Sequence, residues 1–135
     1  MRGFILLADA ARVCPDGTFS LLRGGIDRIQ VPRTQPIHFR GSVVARIAGG
    51  LSEAGKHEFQ LRILNEDGQS IAPDITGGFE IPEGGGGAMA AVDFALILPS
   101  YGRYTFCLLV DRQEIDTWEV RAVEAKGTTD SGQKP

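Results

Sequence analysis

Between residues 57 and 63 the chain reads HEFQLRI, with apolar side chains on every second position: Phe59, Leu61 and Ile63 point one way, Glu58, Gln60 and Arg62 the other. A period of two is the signature of a strand with one buried and one wet face. A helix would need its apolar stripe to recur about every 3.6 residues. The same alternation returns at Val92, Phe94, Leu96 and Leu98 within residues 91–98, and at Tyr104, Phe106, Leu108 and Val110 within residues 104–110.

Between such runs the chain is cut by residues that favour turns. Residues 3–13 end at Pro15, Asp16 and Gly17 and are answered by residues 18–22, so Asp16-Gly17 marks a hairpin that makes the first two strands neighbours. Residues 32–36 carry two prolines, which cannot donate to a ladder, and a third strand resumes over 37–47. After residues 57–63, the turn at Asn65, Asp67 and Gly68 leads into residues 69–81, where Pro73, Gly77 and Gly78 mark an edge strand or a bulge. Pro99 and Gly102 separate residues 91–98 from 104–110, and a last strand over 114–123 buries Trp118 and Val120. About eight short strands with regular turn signals predict an all-β fold, an antiparallel β-sandwich, with a small β-barrel as the alternative.

A chain of 135 residues, 42% hydrophobic, can bury a core without disulfides or metal, so residues 1–123 are expected to form one domain. Residues 124–135 lack large apolar side chains and are expected to be a flexible polar tail. With 14 basic and 17 acidic side chains the formal charge is -3, and no basic run is long enough to follow a nucleic-acid backbone. The apolar run after Phe4 stops at Asp9, and nothing approaches the roughly 18 apolar residues of a membrane span. Neither nucleic acid nor membrane is expected as a partner, and a cytoplasmic protein is. Cys14 and Cys107, far apart and without CxxC spacing, read as free thiols.

Gly84, Gly85, Gly86 and Gly87 raise the question of a phosphate cradle. That chemistry needs a following Lys and Ser or Thr at a helix N-terminus, whereas Ala88, Met89 and Ala90 follow here and lead into a strand. The run is therefore expected to be a flexible loop, a hinge or a partner contact. Alanine at Gly85 and Gly86 should then stabilise the fold by about 0.4–1 kcal/mol per site, provided neither requires positive φ. Tyr101, beside the Pro99 turn, is a further partner-contact candidate.

Asp9 falls on the face of Ile5 and Leu7, where a carboxylate must be paired or hydrogen-bonded. It is expected as a buried polar group accepting from backbone near Gly24 and Gly25, or pairing with Arg28 or Arg12. The alternative is a carboxylate pair with Asp27, the one arrangement from which a hydrolase could be built. If successive strands reverse, Asp16, Glu53, Glu83 and Asp111 share one end with the glycine run, an acidic end that could take calcium or a small ligand. Each loop offers only one or two acids and Lys56 and Arg112 compete, so solvated turns are the favoured reading. His38 and His57 lack metal-set spacing, and no serine lies in a nucleophile elbow. No catalytic residue, metal or cofactor is therefore expected.

Three stretches carry a resemblance: LLADAARVCPDGTFSLLRGGIDRI at 6–29, HEFQLRILNEDG at 57–68 and PSYGRYTFCLLVDRQEI at 99–115. Together they resemble a family of short bacterial β-sandwich domains of unknown function, over most of the chain up to about Val123. Ile26 stands where that pattern would put an aromatic. The resemblance implies a β-sandwich and supplies no activity and no catalytic residues. The expected function is a non-enzymatic binding or assembly module, acting on a protein partner or on itself through loops and edge strands.

Overall fold

The computed structural model describes residues 1–32 and 36–125. Among the described residues the strands are β1 (Arg2–Ala8), β2 (Ala10–Val13), β3 (Phe19–Leu22), β4 (Arg28–Val31), β5 (Ile37–Gly49), β6 (Gly55–Leu64), β7 (Ile75–Ile81), β8 (Gly86–Leu98), β9 (Gly102–Val110) and β10 (Gln113–Glu124), with one short 3-10 turn at Leu51–Glu53. They build the expected all-β sandwich: a three-stranded sheet β1-β5-β8, a five-stranded sheet β4-β10-β9-β6-β7, and β2-β3 as a separate ribbon.

The core lies between the two larger sheets and follows the alternation read from the sequence. Ile5, Leu7, Phe39, Val43, Ile47, Phe94, Leu96 and Leu98 come from one sheet, and Phe59, Leu61, Ile63, Tyr104, Phe106, Leu108, Val110 and Val120 from the other. Burying each large side chain contributes about 1.5–3 kcal/mol. Phe39, Phe94 and Phe106 join the sheets at one end, with the Phe39 and Phe94 rings edge to face at 5.1 Å and the Phe94 and Phe106 centroids 5.3 Å apart. Tyr104 is buried and its hydroxyl donates to the Ser100 carbonyl at 2.6 Å, which pins the β8–β9 turn.

The structure redraws several boundaries. Residues 3–13 are not one strand, because the chain bends at Asp9: β1 pairs with β5 from Arg2↔Ala48 to Ala8↔Ser42, while β2 pairs with β3. Local alternation carries no information about which strand lies alongside, so it could not reveal that break. The sheets are also not wholly antiparallel, since β4, a strand the sequence did not announce, pairs parallel with β10 from Arg28↔Arg121 to Val31↔Glu124. β7 is an edge strand, as its glycines suggested, paired only with β6. Trp118 is half-buried, packed against the core, and donates its indole N–H to the Ile26 carbonyl at 2.7 Å. The polar tail expected after Val123 lies outside the described residues from 126 onward, and Glu124 closes β10.

Candidate functional site

The bend at Asp9 leaves a notch in the sandwich. Because β1 ends at Ala8, opposite Ser42, residues 37–41 of β5 pair with β8 on one side only. Across that gap runs β4, at the edge of the other sheet. The result is a cleft of about 500 Å³ lined by Asp9, Arg23, Ile26, Arg28, Ile29, Gln30, Val31, His38, Phe39 and Arg40. Alternation sorts this lining by chemistry. In β5, Phe39 turns into the core while His38 and Arg40 turn out; in β4, Ile29 and Val31 pack against the core while Arg28 and Gln30 are exposed. The floor is therefore apolar and the rim basic.

Asp9 is not the buried carboxylate that strand parity suggested. It sits at the bend, where its side chain turns to solvent and pairs with Arg23, Oδ2 to Nη1 at 3.3 Å. Arg28, expected as its buried partner, is exposed, and neither it nor Arg12 meets Asp9 in an ion pair among the described residues. Gly25 and Ile26 direct their N–H groups to the Leu7 carbonyl, at 2.7 and 3.1 Å, not to the carboxylate. Asp27 is absent from the cleft lining, so the paired-carboxylate arrangement is not assembled there. Arg23 holds positive φ at 52°, an unusual backbone state for a side-chain-bearing residue. No feature of the sequence singled out Arg23, His38 and Arg40 together, because they come from separate elements.

The four acids expected at one end do not form a cation site. Asp16 stays within its own hairpin, where its Oδ1 accepts from the Thr18 hydroxyl at 2.6 Å and the Thr18 N–H at 3.1 Å. The Thr18 hydroxyl bond holds its pKa below the usual carboxylate value. Glu53 accepts from the N-terminal ammonium at 2.7 Å and from the Gly50 N–H at 2.8 Å, and the ammonium bond lowers its pKa in turn. Asp111 is taken by His57, Oδ2 to Nδ1 at 2.6 Å. Glu83 is exposed on the β7–β8 turn. Among the described residues no three His, Cys, Asp or Glu side chains come together as a metal set.

The glycine run is a built turn and not a loose loop. The Gly85 N–H donates to the Pro82 carbonyl at 2.9 Å, and Gly84 has φ +93°, as the third residue of a type II turn requires. Gly85 and Gly86 follow with φ +88° and +145°, and Gly86 and Gly87 already open β8 against β5. A Cβ on Gly85 would approach the Gly49 carbonyl oxygen at 3.1 Å, and one on Gly87 the Arg46 guanidinium at 2.9 Å. Tyr101 is also committed internally: it is half-buried and its hydroxyl donates to the Pro32 carbonyl at 3.1 Å, tying the β8–β9 turn to the end of β4.

A second surface feature lies on the ribbon. β2 rests against β5 and β8, while Val13, Leu21 and Leu22 remain exposed, Leu22 at 62%. Cys14 and Cys107 are free thiols, and burial pushes the Cys107 pKa up. No helix among the described residues is long and apolar enough to cross a membrane.

One solved structure similar to this chain is a putative beta-galactosidase from Bacteroides fragilis, at 15% identity and a TM-score of 0.39, over 61% of this chain and 14% of that one. Likeness at that level carries no argument about fold or activity. No curated protein matches the chain. A family model does, across residues 3–123, a span from the second residue of β1 nearly to the end of β10. The chain therefore belongs to the Family of unknown function (DUF6941).

Proposed function

We propose that the protein is a non-enzymatic binding module of the cytoplasm that takes up an extended segment of a partner protein along the outer edge of β3. The observation that carries this reading is that β3 pairs with β2 alone, and that large apolar side chains stand exposed beside its other edge. Inside the ribbon, the Thr18 and Leu22 carbonyls accept from Cys14 and Asp9. By antiparallel alternation, Phe19 and Leu21 then direct their N–H and C=O groups outward. An unpaired ladder edge beside Leu21 and Leu22 offers both parts of strand addition, main-chain hydrogen bonds and contact for alternate side chains.

The β1 edge is less open. At β1 the Ile5 N–H is taken by the Asp116 carboxylate at 3.0 Å and the Leu7 carbonyl by Gly25 and Ile26. The free thiols Cys14 and Cys107 support a reducing compartment. The engagement of both His57 ring nitrogens by structural partners supports binding over covalent chemistry.

Selection of extended peptides on the immobilised protein, followed by amide hydrogen exchange on the complexes, tests the reading. Selected peptides should slow exchange at Phe19 and Leu21, and Leu21→Pro should abolish their binding while leaving the far-ultraviolet circular dichroism unchanged. Peptides that protect other strands, or a screen that yields none, would overturn it.

A further inference from the structure

We propose that the cleft between β4 and β5 is a binding site for a phosphate monoester carrying a small apolar group, distinct from the β3 edge and independent of it. The first reason is charge. The whole chain is acidic at -3, yet the cleft gathers Arg23, Arg28 and Arg40 with His38 against a single carboxylate, Asp9. Asp9 is occupied by Arg23. Arg28 and Arg40 have no acidic partner among the described residues, so the cleft lining carries two guanidiniums that no carboxylate compensates. An excess of positive charge along one cleft raises the local concentration of anions and favours a bound one. A phosphate monoester near neutral pH carries close to two negative charges, which matches that excess better than a monocarboxylate does.

The second reason is shape. Guanidinium forks present paired N–H donors to phosphate oxygens. Arg28 and Arg40 come from opposite walls, β4 and β5, and His38 and Gln30 add further N–H donors on the same rim. Below them Ile26, Ile29, Val31 and Phe39 form an apolar floor, so the ester group has a surface to cover once the phosphate is held. A volume of about 500 Å³ is within the range of small-ligand sites.

The third reason is construction. The residues on β5 stand beside a strand edge that β1 has vacated, because the chain turns away at Asp9. Asp9 and Arg23, which flank the ribbon, pair at that bend and both line the cleft.

Isothermal titration of the full chain with phenyl phosphate, inorganic phosphate and benzoate tests the proposal. Phenyl phosphate should bind saturably at millimolar concentration or below, more tightly than inorganic phosphate, with benzoate weakest and all three weakened by added salt. Arg28→Gln and Arg40→Gln should each reduce phenyl phosphate affinity by about tenfold or more. Both positions are exposed, so both variants should fold, which circular dichroism would verify. Arg103→Gln, outside the cleft, should bind like the parent. Absence of saturable binding, equal affinity for inorganic phosphate and phenyl phosphate, preference for benzoate, or indifference to both arginine substitutions would each overturn the assignment.

Discussion

The imidazole of His57 lies between two acceptors, its Nδ1 2.6 Å from Asp111 Oδ2 and its Nε2 2.6 Å from the Glu53 carbonyl. Only the doubly protonated ring can donate to both. The ring also stacks on Phe79, centroids 5.5 Å apart, and Asp111 further accepts from the Glu58 N–H at 3.3 Å. One histidine thus ties the turn before β6 to the hairpin between β9 and β10.

This arrangement makes stability depend on pH. The Asp111 bond, aided by the Glu53 carbonyl, raises the His57 pKa above 6.5, and the His57 bond lowers that of Asp111 below 3.8. A raised histidine pKa adds stability that is full below 6.5 and is lost as pH climbs through the folded-state value. The depressed Asp111 value adds stability that is present above 3.8 and lost as pH falls through the folded value. Denaturant melts across the neutral range should therefore show stability falling as pH rises past 6.5, and His57→Gln should flatten that slope. A slope unchanged in the variant would show that another group titrates.

The β9–β10 hairpin should tolerate one improvement. Asp111 and Arg112 both hold positive φ, 49° and 70°, the type I′ pattern that favours glycine at its second central position. Asp111 is held there by His57, but Arg112 is exposed and contributes no ion pair among the described residues. Arg112→Gly should stabilise by about 1 kcal/mol and raise the Tm by about 4 °C. A lowered Tm would mean the Arg112 side chain stabilises the fold.

Gly85→Ala should destabilise by about 1–3 kcal/mol, the opposite of what a loose glycine loop implies. The residue needs φ +88° and a Cβ would crowd the Gly49 carbonyl at 3.1 Å. Chemical denaturation distinguishes the two outcomes by sign alone.

On β7, Gly77 lies opposite Phe59, and a Cβ there would come within 2.7 Å of the ring. The ring covers the strand where a side chain would otherwise stand, an arrangement known from glycines paired with aromatics. Gly77→Ala should cost about 1–3 kcal/mol by overpacking. Gly78, whose Cβ would meet its nearest neighbour only at 3.7 Å, is the control and should lose much less on the same substitution. Equal losses at the two sites would show that the Phe59 contact does not set the cost, since chain entropy by itself favours alanine over glycine in a strand.

Alternation alone determined the central strands and the faces they bury. Phe59, Leu61, Ile63, Phe94, Leu96, Leu98, Tyr104, Phe106, Leu108 and Val110 are all buried, because side-chain parity in a strand is a local property that needs no knowledge of the partner. The Asp16-Gly17 hairpin was legible for the same reason, since turn chemistry is written in adjacent residues. What the sequence could not state was anything that depends on which strands become neighbours. Asp9 obeys the parity of Ile5 and Leu7, yet it is exposed, because β1 pairs with β5 and β2 with β3 and the chain must bend between them. Glu53, His57 and Asp111 meet only because β6 lies against β9. Arg23, Arg28, His38 and Arg40 share a cleft only because β1 ends one residue before that bend. Pairing between distant strands is decided by the packing of the whole core, and the candidate site is a product of that packing.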